Sequence, residues 1–204
     1  MFERLVISPH IDDEVLGCGG SIDDRTFVLE CGVDDFHIVP RQERINELEA
    51  AQKLLGFEYR ILDNVVNHYE VTNLIQGITD AINFIKPKEI YIPYPSYNQD
   101  HQEVYRAAMI ALRPHDLNYF VPRVFVYEET QVVLWDNSHN INGLFKPNYY
   151  REIDIERKLA AYRCLKSQVR SFRSAEFLQE IAQLRGRQSG KKYAEAFQCL
   201  RFVE

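Results

Sequence analysis

Residues 4–30 read RLVISPHIDDEVLGCGGSIDDRTFVLE, and the architecture can be read from this stretch first. Arg4–Ser8 is an apolar run of strand length that stops at Pro9, where the missing N–H cannot continue a ladder. Thr26–Glu30 is a second such run. The three glycines and turn formers of GCGGSIDD leave room between them for only a very short helix or none. Further along, Arg41–Leu55 carries apolar residues at helical spacing and ends at Gly56, which suits a C-terminal cap. Tyr59–Leu62 reads as a strand, Asn73–Ile85 as an amphipathic helix stopped near Pro87, and Glu89–Pro93 as a further strand. Gln102–Leu112 reads as a helix and Arg123–Tyr127 as a strand. Strands alternating with helices imply an α/β chain with a mostly parallel, Rossmann-like sheet and flanking helices. The second half is less regular. Asn137–Tyr150 reads as a long surface loop suited to binding contacts, followed by helical patterns from Asp154 (DIERKLAAYRCLKSQV) and from Ser174 to Arg185.

With 204 residues, 46% hydrophobic and 26% charged, the chain fits one soluble domain, 1–204, with a core needing no disulfides. Its formal charge of −6 and the lack of a Lys/Arg run argue against nucleic acid as partner. No stretch approaches the ~20 apolar residues of a membrane span, and MFERLVISPHIDDE has no signal-peptide pattern, so a cytoplasmic protein is expected. Four dispersed cysteines predict neither a disulfide framework nor a thiolate zinc site.

In an open parallel sheet, ligands bind outside the carboxyl ends of the strands. His10, Asp12, Asp13 and Glu14 stand there, and three carboxylates around an imidazole repel one another unless a cation, hydrogen bonds or water compensates them. A catalytic zinc takes three protein ligands and keeps one position open. His10 and Asp13 supply two, and His101, in NQDHQ after another strand, is the best third candidate. Asp100 is the expected partner that orients a ligating imidazole, with Glu14 in a similar supporting part. Spacing alone leaves open both a metal site and a solvated acidic turn.

SPHIDDEVLGCGG closely resembles the PHxDDExLGxGG signature of the PIG-L or LmbE-like de-N-acetylase family. RINELEAAQKLLGF is similar to that family's RxxExxxAxxxLG helix, NQDHQEVYRAAMIAL to its HxDHxxxxxA segment, and RSAEFLQEIAQLRGRQSGKKYAEAFQ to the RG-then-YAEAF ending of its bacterial sugar-deacetylase branch. The resemblance implies an LmbE-like fold, Zn2+ (or another divalent ion such as Fe2+) on His10, Asp13 and His101, Asp12 as general base, and Arg44 directed at the substrate, with a plain surface pairing to Glu47 one turn later as the alternative for Arg44. It implies hydrolysis of an N-acetyl group from a sugar, free or linked to a nucleotide or lipid. Two departures stand out. Asn98 replaces a histidine that helps stabilise the oxyanion, with Tyr97 beside it as a substrate contact able to compensate. The short connection after the glycines lacks the usual longer helix, leaving either an exposed face or a homo-oligomer contact. Hydrolysis of another amide, or sugar binding without turnover, are the alternatives. GCGGS lacks GxGxxG spacing, which argues against a dinucleotide. Trp135, Phe145, Tyr149 and Tyr150 flank the loop and suit either stacking on a sugar or a hydrophobic aglycone or, as is commoner, core or rim packing, and His139 is expected to face solvent.

Overall fold

The structure, a computed structural model, describes residues 2–34, 39–115, 117–130, 132–136 and 145–204. In chain order the elements are β1 (Arg4–Ser8), α1 (Asp13–Cys18), β2 (Thr26–Gly32), α2 (Arg41–Leu55), β3 (Glu58–Asn64), α3 (Val71–Ile85), β4 (Glu89–Pro93), α4 (Gln99–Ala111) and β5 (Arg123–Tyr127). They continue with a π-helical turn (Val132–Asp136), β6 (Tyr149–Glu152), α5 (Ile155–Tyr162), α6 (Ala175–Ser189) and β7 (Ala194–Phe202).

One seven-stranded sheet has the order β3-β2-β1-β4-β5-β7-β6. The first five strands are parallel, and β7 runs antiparallel to both β5 and β6. Each strand sends alternate side chains to opposite faces. Val6, Val28, Tyr91 and Phe125 therefore pack under α1, α2, α5 and α6, while Leu5, Ile7, Leu29, Ile90 and Ile92 pack under α3 and α4. Strand order reverses between β1 and β4, so a crevice opens at their carboxyl ends. This is the placement that the sequence pattern predicts for His10 and His101.

Helix α2 has the predicted bounds, with Gly56 left-handed at φ 80°. Helix α5 begins where expected, its Asp154 side chain accepting from the amides of Glu156 and Arg157, but it stops at Tyr162 instead of running on through SQV. The Tyr162 hydroxyl donates to the carbonyl of Arg173 at 2.6 Å and so fastens the following turns back on the helix. That closure returns Arg173 to the crevice.

Strands β6 and β7 go beyond the sequence expectation. Tyr149 and Tyr150 open β6 and do not belong to a loop; Tyr149 packs on Phe125 with ring centroids 4.6 Å apart, and Phe145 meets Tyr94 edge-on. Residues 137–144, including His139, lie outside the described residues. The face left by the short connection after the glycines is not bare, because α5 covers it. Arg157 donates to the carbonyls of Ile22 and Leu55, and Lys158 donates to Leu16 O at 2.7 Å and to Glu195 at 2.6 Å. Gly17 in this segment is a packing glycine: a Cβ there would collide with the Tyr127 ring. Among the described residues no helix is long and apolar enough to cross a membrane.

Candidate metal centre and active site

The HIDDE segment turns sharply from β1 into α1. Asp12 sits at φ 149°, a region unfavourable to a residue with a side chain. The surrounding hydrogen bonds fix it there: the Asp12 amide donates to Glu14 Oε2 at 2.9 Å, Ser8 Oγ donates to His10 O at 2.7 Å, and the His10 amide donates to Asp13 Oδ2 at 3.1 Å. The two acids thus occupy a tight turn into a helix, and they diverge. Asp13 faces the imidazoles and Asp12 faces Arg173.

His10 Nδ1 and His101 Nε2 stand 3.2 Å apart, and each lies 3.3 Å from Asp13 Oδ2. A tetrahedral ion with bonds of ~2.0–2.1 Å places its donors about 3.3–3.4 Å apart, so the spacing suits a zinc-like ion. These residues form a His-Asp-His group able to hold a metal. The outer ring nitrogens are both occupied by acids, His10 Nε2 by Asp100 Oδ2 at 3.0 Å and His101 Nδ1 by Glu129 Oε1 at 2.5 Å. Outer N–H groups held in this way leave the inner lone pairs turned toward the shared centre. Asp100 is fixed in turn by the Asn67 amide at 2.7 Å.

The electrostatics of the cage call for positive charge. Burial works against the charged ring of His10, but Asp100 and Asp13 outweigh it and raise the pKa to about 9. His101 is also raised, because Glu129 and Asp13 overcome its burial. Asp13 is held far below the usual carboxylate range by the two imidazoles, despite burial. Asp12 differs: burial pushes it up to about 6 even though Arg173 pulls the other way, with Arg173 Nη2 lying 3.1 Å from Oδ2. A carboxylate titrating near neutrality suits proton transfer. Behind it, burial and then the Asp12 charge push Glu14 up to about 8, and burial with Glu14 raises Glu30 on β2.

A pH response of the metal-free protein follows. His10 rises from 6.5 to about 9 on folding, so its stabilising contribution is full below about pH 6.5 and is lost as pH climbs through 9. Glu14, raised from 4.5 to about 8, works in the same direction because the folded state again binds more protons. The thermal midpoint of metal-free protein is expected to fall between pH 6.5 and 9. A divalent ion should widen the gap between loaded and metal-free midpoints over that interval, since the ion takes the deprotonated rings. Scanning fluorimetry across the interval checks this, and a gap that narrows with pH contradicts it.

The other expected site residues divide. Asn98 lines the pocket of about 200 Å³ that also contains His10, Asp12, Asp13, His101 and Arg173; its side-chain oxygen caps α4 by accepting from the Asp100 amide at 2.9 Å. Glu14 supports the backbone of Asp12 and not an imidazole. Arg44 does not reach the pocket. It is 1% exposed and its donors go to Ile11 O, Glu47 at 3.1 Å and Ser167 at 2.9 Å, so the guanidinium braces the HIDD turn from behind. Arg44→Leu is therefore expected to lower stability by ~3–5 kcal/mol, because it strands Glu47 and the Ile11 carbonyl; a substrate contact would instead raise KM and leave the melting temperature unchanged. Tyr97 is half exposed and lines an adjacent groove. Sequence reading missed Glu129, Arg173 and Glu30. Glu129 follows β5 as His10 follows β1, so the strand-end rule could have found it; Arg173 lies in a turn that gives no such signal.

No protein-family model matches the chain, and no curated protein matches it. Solved structures do match. A conserved protein of Thermus thermophilus is 24% identical with a TM-score of 0.81, covering 100% of this chain and 97% of that one. The N,N′-diacetylchitobiose deacetylase of Pyrococcus horikoshii is 21% identical with a TM-score of 0.78 over 97% of this chain and 83% of its own. The chain has the LmbE-like deacetylase fold. The 4-carboxy-2-hydroxymuconate hydratase of Pseudomonas putida matches equally well, at 20% identity and a TM-score of 0.81 over 100% and 99% of the two chains. The LmbE-like fold thus carries more than one reaction, and chemistry has to be argued from the site.

Proposed function

We propose that this chain is a metal-dependent hydrolase that removes the acetyl group from an N-acetylated sugar or sugar conjugate. The observation that carries the reading is the tetrahedral spacing of His10 Nδ1, His101 Nε2 and Asp13 Oδ2 beside a separate buried carboxylate, Asp12. The sequence signature and the chitobiose deacetylase fold support it.

His10, Asp13 and His101 would hold the ion, zinc or another divalent metal that accepts imidazole and carboxylate. Bound there, a divalent ion supplies Lewis acidity that polarises a carbonyl and brings the pKa of water toward ~7. Asp12 accepts the proton of the attacking water as the new C–O bond forms at the acetamide carbonyl. Arg173 keeps Asp12 in place and favours its charged form against burial. Once protonated, Asp12 hands that proton to the departing amine as the C–N bond breaks, giving acetate and the free amino sugar. Asn98, its oxygen committed to the helix cap, offers its amide N–H as a neutral donor to the developing oxyanion in place of an imidazole. Asp100 and Glu129 hold the ligating rings in one tautomer.

Acetate release from N-acetylated sugars and nucleotide sugars, with metal content measured after anaerobic purification, tests the proposal. No release from any of them would overturn it in favour of sugar binding without turnover, a reading that Asn98 motivates. Hydration of an unsaturated acid is the second enzymatic reading, favoured by the fold match to the hydratase and by the Arg173 cation at the pocket wall. Loss of ultraviolet absorbance from such an acid, without acetate, identifies it.

A further inference from the structure

Beside the polar pocket lies a groove of about 390 Å³ lined by Tyr97, Leu134, Trp135 and Phe172. These side chains are 50%, 47%, 68% and 60% exposed. Single exposed apolar residues are ordinary, whereas several converging on one concavity mark a binding surface. The geometry points to a second subsite, in which this groove receives an aryl or alkyl group joined to the sugar whose acetamide lies in the metal pocket. The inference rests on the acetyl-sugar reading and extends it by naming the substrate class, an N-acetylated sugar with a hydrophobic aglycone.

Continuity with the metal pocket selects this occupant. Tyr97 directly precedes Asn98, and Phe172 directly precedes Arg173; in each pair the first residue lines the groove and the second lines the pocket. Leu134 and Trp135 sit on the π-helical turn that follows Glu129, the acid bonded to His101. Such turns are frequent at functional sites. The three segments that build the groove therefore also supply polar groups around the ion site, as expected for one substrate spanning both. The volume falls in the ~300–1,000 Å³ range of small-molecule sites, while a stable protein contact needs roughly 800 Å² on each partner, more than four side chains present. Polarity divides the same way: apart from Val66 the pocket is lined by imidazole, carboxylate, guanidinium and amide side chains, and the groove by three aromatics and a leucine.

Trp135 is the chain's only tryptophan, so its emission reports on the groove without requiring turnover. The metal-loaded protein is titrated with the methyl, phenyl and octyl glycosides of N-acetylglucosamine, and acetate is followed in parallel. Phenyl and octyl glycosides are expected to bind about tenfold more tightly than the methyl glycoside and to shift the emission to the blue. In Phe172→Ala, and independently in Leu134→Ser, that preference should collapse toward one; both positions are exposed, and thermal melts verify folding. Equal binding of all three glycosides, no binding by any, or a preference that survives both substitutions overturns the subsite. An emission shift that depends on protein concentration without ligand also overturns it, by showing a second copy in the groove. Tight phenyl and octyl binding with no acetate leaves the subsite standing and removes the hydrolase reading; acetate released from all three with equal KM does the reverse.

Discussion

Asp12→Asn is expected to retain one divalent ion per chain while releasing acetate some 10²–10⁴-fold more slowly, the range for loss of a positioned general base. The prediction follows from the way the two acids separate. Asp13 Oδ2 faces both imidazoles, whereas Asp12 turns to Arg173, so the amide removes the proton acceptor without touching a donor of the cage. The substitution is close to isosteric and keeps the amide that donates to Glu14, which holds the turn at its unfavourable φ. It relieves the burial that already pushes the Asp12 carboxyl up to about 6 but leaves Arg173 facing a neutral amide in place of its charged partner. Metal analysis together with an acetate assay checks both halves. A variant that loses the ion would show Asp12 to be a ligand, and one that keeps full rate would place the base elsewhere.

His101→Ala has the opposite signature, with the ion absent at concentrations that saturate the parent. The ring contributes one donor atom, and its removal also takes the partner from Glu129 Oε1, 2.5 Å away, leaving a buried acid facing the place where a cation should be. Two buried carboxylates, Asp13 and Glu129, then face each other with less compensation, so a fall in stability on the order of 3–5 kcal/mol is expected as well. Circular dichroism separates unfolding from simple loss of metal. Glu129→Gln gives the intermediate case: the ring stays and its orienting partner weakens, which should reduce metal affinity by ~10–100-fold. Full metal occupancy in folded His101→Ala would remove this residue from the ligand set.

The parallel half of the sheet was legible because buried strands in a parallel sheet are short apolar runs bounded by turn formers, and β1, β4 and β5 have the predicted bounds. The antiparallel edge was not legible. β7 alternates apolar Ala194, Ala196 and Phe197 with Glu195 and Gln198, and the pattern merges with the helix before it; β6 is only four residues long and mixes Tyr with Arg and Glu. At the site, the sequence pointed to His10, Asp13 and His101 together because the strand-end rule applies to the turns and helix starts that follow β1 and β4. For Arg44 the alternative pairing with Glu47 is the one the structure shows, while its second contact was not legible, because a helix pattern shows which face is buried but not what a buried guanidinium meets, here the carbonyl of Ile11. Arg173 escaped because it reaches Asp12 only through the turns that Tyr162 closes, a contact between residues 161 positions apart.

Crystals grown with zinc and measured at its absorption edge provide the sharpest check that one divalent ion joins the two halves of the crevice. One strong anomalous peak is expected within ~2.0–2.2 Å of His10 Nδ1, His101 Nε2 and an Asp13 carboxylate oxygen, with Asp12 outside bonding distance. A peak seated on other residues, or none between these three side chains, would contradict that arrangement.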